Sequence, residues 1–214
     1  MEAEDKQQHI LEKTRLLFMS YGIRSLSMDD VSRHLAISKK TLYQYFTSKD
    51  DLVEKVIRQI LENSELIRCS ESWQNLNAID ILLKASQIVN EEIKQSNPVV
   101  VFDLQKYYPE LYADFIEKKK QHIYSRITEN MEQGISEGFY RSDLNIELVA
   151  RLYVNNLVEL HRADFVINRE LTFAEVFQVM FENHIRAISN QEGVKYFEEK
   201  KSSLNLNTNL KINE

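Results

Sequence analysis

The chain has little to bend with and almost nothing to cross-link with. Its 214 residues include four glycines, two prolines and one cysteine, Cys69. A single cysteine forms no intrachain disulfide, which excludes a cross-linked secreted scaffold. So little glycine and proline starves the turns of a β-sandwich and the phosphate loops of nucleotide-binding folds. No apolar run reaches the ~20 residues that cross a bilayer. The opening MEAEDKQQH is acidic and polar, unlike a secretory signal. There is no HExxH, no GxSxG, and no histidine with a glutamate three residues ahead of it. Glu91 and Glu92 are adjacent, so on a helix they point in different directions. These absences leave no enzyme signature. They predict no metal, no cofactor, no membrane partner and a cytoplasmic location.

What is present is helical material. Hydrophobic residues make up 43% of the chain, enough for a sizeable core. The net charge is −6, but the distribution is uneven. Residues 22–49 carry five cations against two carboxylates, a net of +3, which leaves −9 for the rest. A basic patch on an acidic body suits local contact with phosphates while the body repels them.

Residues 6–21 predict a helix from Ile10, Leu11, Thr14, Leu17, Phe18 and Tyr21 at three- and four-residue spacing, ended by Gly22. Ser27 with Asp30 forms a capping box that starts a short second helix, 27–35, with Met28, Val31 and Leu35 inward. Ser38 caps a third helix, 39–45, whose Leu42 and Phe46 face the same core. Its other face offers Lys39, Lys40, Thr41, Tyr43, Gln44 and Tyr45. Ser48 and Asp51 form a second capping box, opening a long helix at Lys49. Two short helices joined by a tight turn make a helix-turn-helix, whose second helix enters the major groove of DNA. Lys, Thr, Gln and Tyr supply phosphate and base-edge contacts. The candidate DNA-binding residues are Ser27, Met28, Ser38, Lys39, Lys40, Thr41, Tyr43, Gln44, Tyr45 and Lys49.

The segments ILEKTRLLFMSYG and SLSMDDVSRHLAISKKTLYQYFTSKDDLV resemble the DNA-binding domain of TetR-type transcriptional regulators. Thr41-Leu42-Tyr43, Tyr45-Phe46 and Ser48-Lys49 stand as in that family's pattern. Three positions depart from it. Ser32 replaces a small alanine, Ala36 stands where glycine is common, and Lys40 replaces a small residue. Alanine at a positive φ would cost about 1 kcal/mol.

Beyond residue 68 the pattern stays helical. Residues 74–96 are amphipathic, and Asn97-Pro98 is a boundary. Val99–Leu104 has strand character, but with no partner strand it reads as a buried helix. A helix starts at Pro109, Gly134 and Gly138 bracket a break, and helices follow over 145–168 and 172–190. The last is apolar around more than half its circumference, which calls for burial on two sides.

The expected fold is all-α. It comprises a helix-turn-helix DNA-binding domain (6–66), an effector-binding and dimerisation domain (67–197) and a polar tail (198–214). The resemblance implies a ligand-responsive repressor that binds a pseudo-palindromic operator in double-stranded DNA as a homodimer. It also implies a small-molecule effector, and the aromatic content points to an apolar or aromatic one. Phe102, Tyr107, Tyr112, Phe115, Tyr124 and His161 are candidates for its pocket. Leu157, Phe173, Phe177, Met180, Phe181 and His184 are candidates for the dimer interface. The alternative is a helical ligand-binding or scaffold protein whose helix-turn-helix no longer reads DNA.

Overall fold

The computed structural model describes residues 3–63, 73–95, 97–160 and 172–203, with every side chain in them except those of Ala3, Ile93, Phe173 and Ser203. Cys69, His161 and residues 204–214 fall outside this description, as does the Phe173 side chain. Ten helices are described: α1 (Ala3–Tyr21), α2 (Met28–His34), α3 (Lys39–Tyr45), α4 (Lys49–Glu62), α5 (Ala78–Gln95), α6 (Pro98–Tyr107), α7 (Pro109–Ser136), α8 (Ile146–Glu159), α9 (Phe173–Ile188) and α10 (Gln191–Ser203). The described residues form no strand; they hold an isolated antiparallel bridge between Tyr140 and Ser189.

The chain divides into two compact units. The first comprises residues 1–68 and 92–119, the second 69–91 and 120–214. The N-terminal helices therefore share a unit with α6 and the start of α7, an association between distant segments that local sequence patterns do not carry.

In the first unit, Phe18, Val31, Leu42, Phe46, Leu52 and Val56 meet in one core, joined by Val100 and Leu104 of α6. Ser27 caps α2 through the full capping box with Asp30. Ser38 caps α3 by accepting the Thr41 N–H. Ser48 accepts the Asp51 N–H, but the Asp51 carboxylate reaches one residue further back than a capping box requires, to the Thr47 N–H at 2.8 Å. Asn97 caps α6 and Pro98 occupies its first turn, so the Val99–Leu104 segment is helical as expected, but it is buried on one face only, with Val99 and Phe102 exposed. Ala36 has φ +53°, the strained conformation that its place in the turn foreshadows.

In the second unit, Ile79, Leu83, Met131, Tyr140, Leu157, Phe177, Phe181, Ile185 and Phe197 form the core. Two expectations change here. The break placed at Gly134 does not occur; α7 continues to Ser136, and Gly138, with φ +79°, follows its end. Gly134 serves packing: a Cβ on it would lie 2.1 Å from the Tyr140 ring. That tyrosine is buried and donates its hydroxyl to Asn130 Oδ1 at 3.1 Å. The polar stretch from Glu198 likewise continues α10 to Ser203. Its Lys201 pairs with Glu182 at 2.7 Å, and the helix is anchored by fully buried Phe197.

Candidate nucleic-acid interface

Two short helices build the candidate surface. In α3, Leu42 is fully buried, while Lys40, Tyr43 and Gln44 are exposed. Spacings of three and four residues set those three side chains on one helix face. They supply an ammonium, a phenol and an amide, groups that reach phosphates and base edges.

The remaining candidates divide by what already holds them. Lys39 is exposed, but its Nζ lies 2.8 Å from Asp29 Oδ1 of α2. That hydrogen bond holds the Lys39 ammonium above its ordinary pKa. Thr41 is half-buried, and its hydroxyl lies 2.7 Å from Ser38 Oγ. Ser38 and Thr41 therefore fix the start of α3 through each other. Tyr45 is half-buried against the first unit's core, and its carbonyl accepts from Lys55 Nζ at 3.3 Å. Ser27 keeps its backbone N–H on Asp30 at 3.0 Å. Hydrogen bonds from the Ser27 hydroxyl and N–H hold the Asp30 carboxyl below its usual range.

Met28 departs from its candidate role as a contact residue. Its side chain is buried among the core residues, because the stripe that includes Val31 must face inward. Lys49, at the start of α4, is half-buried. Burial, and then the nearby Arg24, push its ammonium pKa down.

A concavity of about 360 Å³ lies in the first unit, lined by Arg24, Ser25, Leu26, Ser27, Met28, Asp29, Lys39, Tyr43 and Lys49. Three cations face one carboxylate there, and that carboxylate is the partner of Lys39. Arg24 and Asp29 were not among the candidates. In the sequence Arg24 is one of the five cations of residues 22–49, and its neighbours Asp103 and Tyr107 come from α6, far along the chain.

The other candidate sets are changed more deeply. Phe102 and Tyr107 are exposed on α6, not enclosed. This helix buries Val100, Asp103 and Leu104, which turns Phe102 outward and leaves Tyr107 at the rim. Lys106 Nζ lies 5.3 Å from the Phe102 ring, and the Arg24 guanidinium lies 5.0 Å from the Tyr107 ring. Tyr112 and Phe115 are half-buried against the first unit's core, whereas Tyr124 packs against the second. His161 lies outside the described residues.

Of the residues assigned to a dimer interface, Leu157, Phe177, Phe181 and His184 are buried within the chain itself. They fill the second unit's own core because α8, α9 and α10 enclose them. Met180 is half-buried against the same core. Among the described residues, the large apolar side chains left exposed on α8 and α9 are Leu148 (56%), Leu152 (65%) and Val179 (44%). His184 stacks on Tyr153 with ring centroids 4.0 Å apart, and its Nε2 is sealed from solvent without a hydrogen-bond partner.

Residues 10–56 match the family model described as bacterial regulatory proteins, tetR family. Every candidate DNA-binding residue lies inside that span. The chain is 26% identical over 184 residues to the HTH-type transcriptional regulator UidR of Escherichia coli strain K12, covering 84% of this chain and 92% of UidR. A crystal structure of a transcriptional regulator from Cytophaga hutchinsonii superposes with a TM-score of 0.71 at 17% identity, covering 86% of this chain and 99% of that one. A putative transcriptional regulator from Saccharomonospora viridis, solved in complex with choline, gives a TM-score of 0.67 at 16% identity, covering 88% of this chain and all of that one.

Proposed function

We propose how this chain, a DNA-binding transcriptional regulator of the TetR family, reads its operator and answers to a signal. It acts as a ligand-responsive repressor. The observation that carries this reading is the exposed row Lys40, Tyr43 and Gln44, borne on a helix whose Leu42 is locked in the core. A rigid helix with an outward row of polar side chains can enter a major groove without reorganising. Lys49 and Lys39 take phosphates beside it, Lys39 by exchanging Asp29 for DNA.

The regulator works as a homodimer on a pseudo-palindromic operator, placing α3 of each copy in successive major grooves. The face that a second copy covers centres on Leu148, Leu152 and Val179. Leu148 and Leu152 stand four residues apart on α8, so they share one stripe. This reading replaces the residues already enclosed by the chain's own core.

The second unit holds the effector response. Its core is apolar except for a few groups, among them the Tyr153–His184 stack with its unpartnered Nε2. An apolar or aromatic effector carrying one polar group fits that chemistry. The choline held by the Saccharomonospora protein is consistent with a small organic ligand in this class of fold.

Sedimentation on duplexes selected from a random library tests the reading. Two chains per duplex are expected, and a Leu152→Lys variant should sediment as a monomer. A wild-type monomer with no duplex affinity at low salt would refute the proposal.

A further inference from the structure

The first unit holds two cations that the helix-turn-helix alone does not explain. Arg24 lies in the α1–α2 connection and Lys49 begins α4, and both line the concavity described above. They are close enough that Arg24 disfavours the charge on Lys49. Among the described residues neither makes an ion pair. Two like charges facing one hollow, neither held in an ion pair although Asp103, Asp50 and Asp30 lie near enough to favour the charge on Lys49, suit an external anion.

Arg24 is also held in place. Its backbone N–H donates to Asp103 Oδ2 at 2.8 Å, and that carboxylate is buried. Its guanidinium lies 5.0 Å from the Tyr107 ring centroid, a cation–π contact that leaves the N–H edge free. The same helix grips the neighbouring backbone. Asn97 Nδ2 donates to the Met19 carbonyl at 2.8 Å. Gly22, at φ +80°, lets α6 approach so closely that a Cβ there would lie 3.0 Å from Val99 Cγ1 and 3.3 Å from Asp103 Oδ2. Beside Lys49, Asp50 accepts the Tyr108 hydroxyl at 3.1 Å. The segment 97–108 thus contacts Arg24 itself and Asp50, the neighbour of Lys49.

We infer that Arg24 binds a DNA backbone phosphate together with Lys49, and that Tyr107 and Asp103 of α6 are positioning residues that aim Arg24 at it. A guanidinium fork matches two phosphate oxygens, and the stacked ring fixes its plane. This inference rests on the DNA-binding reading. It adds a contact outside the helix-turn-helix and makes α6 a support for the DNA-binding surface.

The test is anisotropy binding of the full chain to a selected duplex, over a range of salt, with melting curves for each variant. Arg24→Ala should weaken all duplexes alike, by about tenfold, and reduce the log–log salt slope by about 0.9, as loss of one phosphate contact requires. Lys49→Ala should do the same. Tyr107→Leu should lose part of that affinity and Tyr107→Phe should restore it. Tyr107→Leu should have no further effect in an Arg24→Ala background. If the wild type binds but Arg24→Ala keeps its slope, the proposed contact is wrong while the DNA-binding reading stands. If Tyr107→Leu weakens binding equally with Arg24 absent, the positioning role is wrong. If the wild type binds no duplex, both readings fall.

Discussion

Lys39 of α3 and Asp29 of α2 meet at 2.8 Å, with both side chains 56% exposed. The pair braces the two helices of the reading head and also occupies a cation suited to phosphate. Exposed ion pairs of this kind contribute little to stability, because solvent screens them. DNA can therefore draw Lys39 away at small cost. Asp29→Asn should free the lysine and remove a negative charge from the DNA-facing side. Affinity for any duplex should rise several-fold, with a steeper salt dependence. Titrations at two salt concentrations check this; unchanged or weaker binding would show that the pair organises the head for DNA instead.

Ala36 holds φ +53° in the turn between α2 and α3. Its N–H donates to the Arg33 carbonyl at 3.1 Å, so this geometry is part of the turn. A left-handed alanine carries a steric cost that glycine avoids. Ala36→Gly should stabilise the protein by about 0.5–1 kcal/mol, raising the melting temperature by a few degrees. The entropy of a more flexible unfolded chain offsets part of the gain. A fall in melting temperature would show that the turn holds alanine without strain.

His184 is buried against Tyr153, and burial pushes its imidazole pKa down to about 4. In the unfolded chain the group titrates near its ordinary value, about 6.5. Between those values the unfolded chain binds more protons than the folded one, so stability rises with pH in that window. Above pH 6.5 the contribution is flat. As pH falls from there towards 4, the loss should approach about 1.4 kcal/mol per pH unit. Urea midpoints at pH 7 and pH 5 should separate for the wild type and converge for His184→Phe. Equal separation in both would place the acid sensitivity elsewhere.

The first unit was largely legible in the sequence because its signals are local. The Ser27–Asp30 capping box, the Ser38 cap and the spacing from Leu42 to Phe46 each act within one turn of helix, and the structure keeps all three. The contacts that failed to show in the sequence are long-range. Arg24 meets Asp103 across 79 positions, and nothing near either residue advertises the other. The apolar breadth of α9 calls for burial on two sides, one against its own domain and one against a partner. This chain's own core takes Phe177, Phe181, Ile185 and Ile188, with Phe197 of α10 beside them, while Val179 stays exposed. Gly134 misled for a related reason. A glycine in a helix reads as a break, but here it makes room for Tyr140, and that ring arrives only with the tertiary fold.

The central claim is that Lys40, Tyr43 and Gln44 form a row that reads bases. The most direct measurement is selection of bound duplexes from a random library with the wild type and with Gln44→Ala. The wild type should enrich a two-fold symmetric site with half-sites about one helical turn apart. The variant should bind the same symmetric frame but relax its preference at one base pair in each half-site, at a cost of about 1–3 kcal/mol against the wild-type site. An unchanged base preference, or a uniform loss across all sequences, would contradict the account.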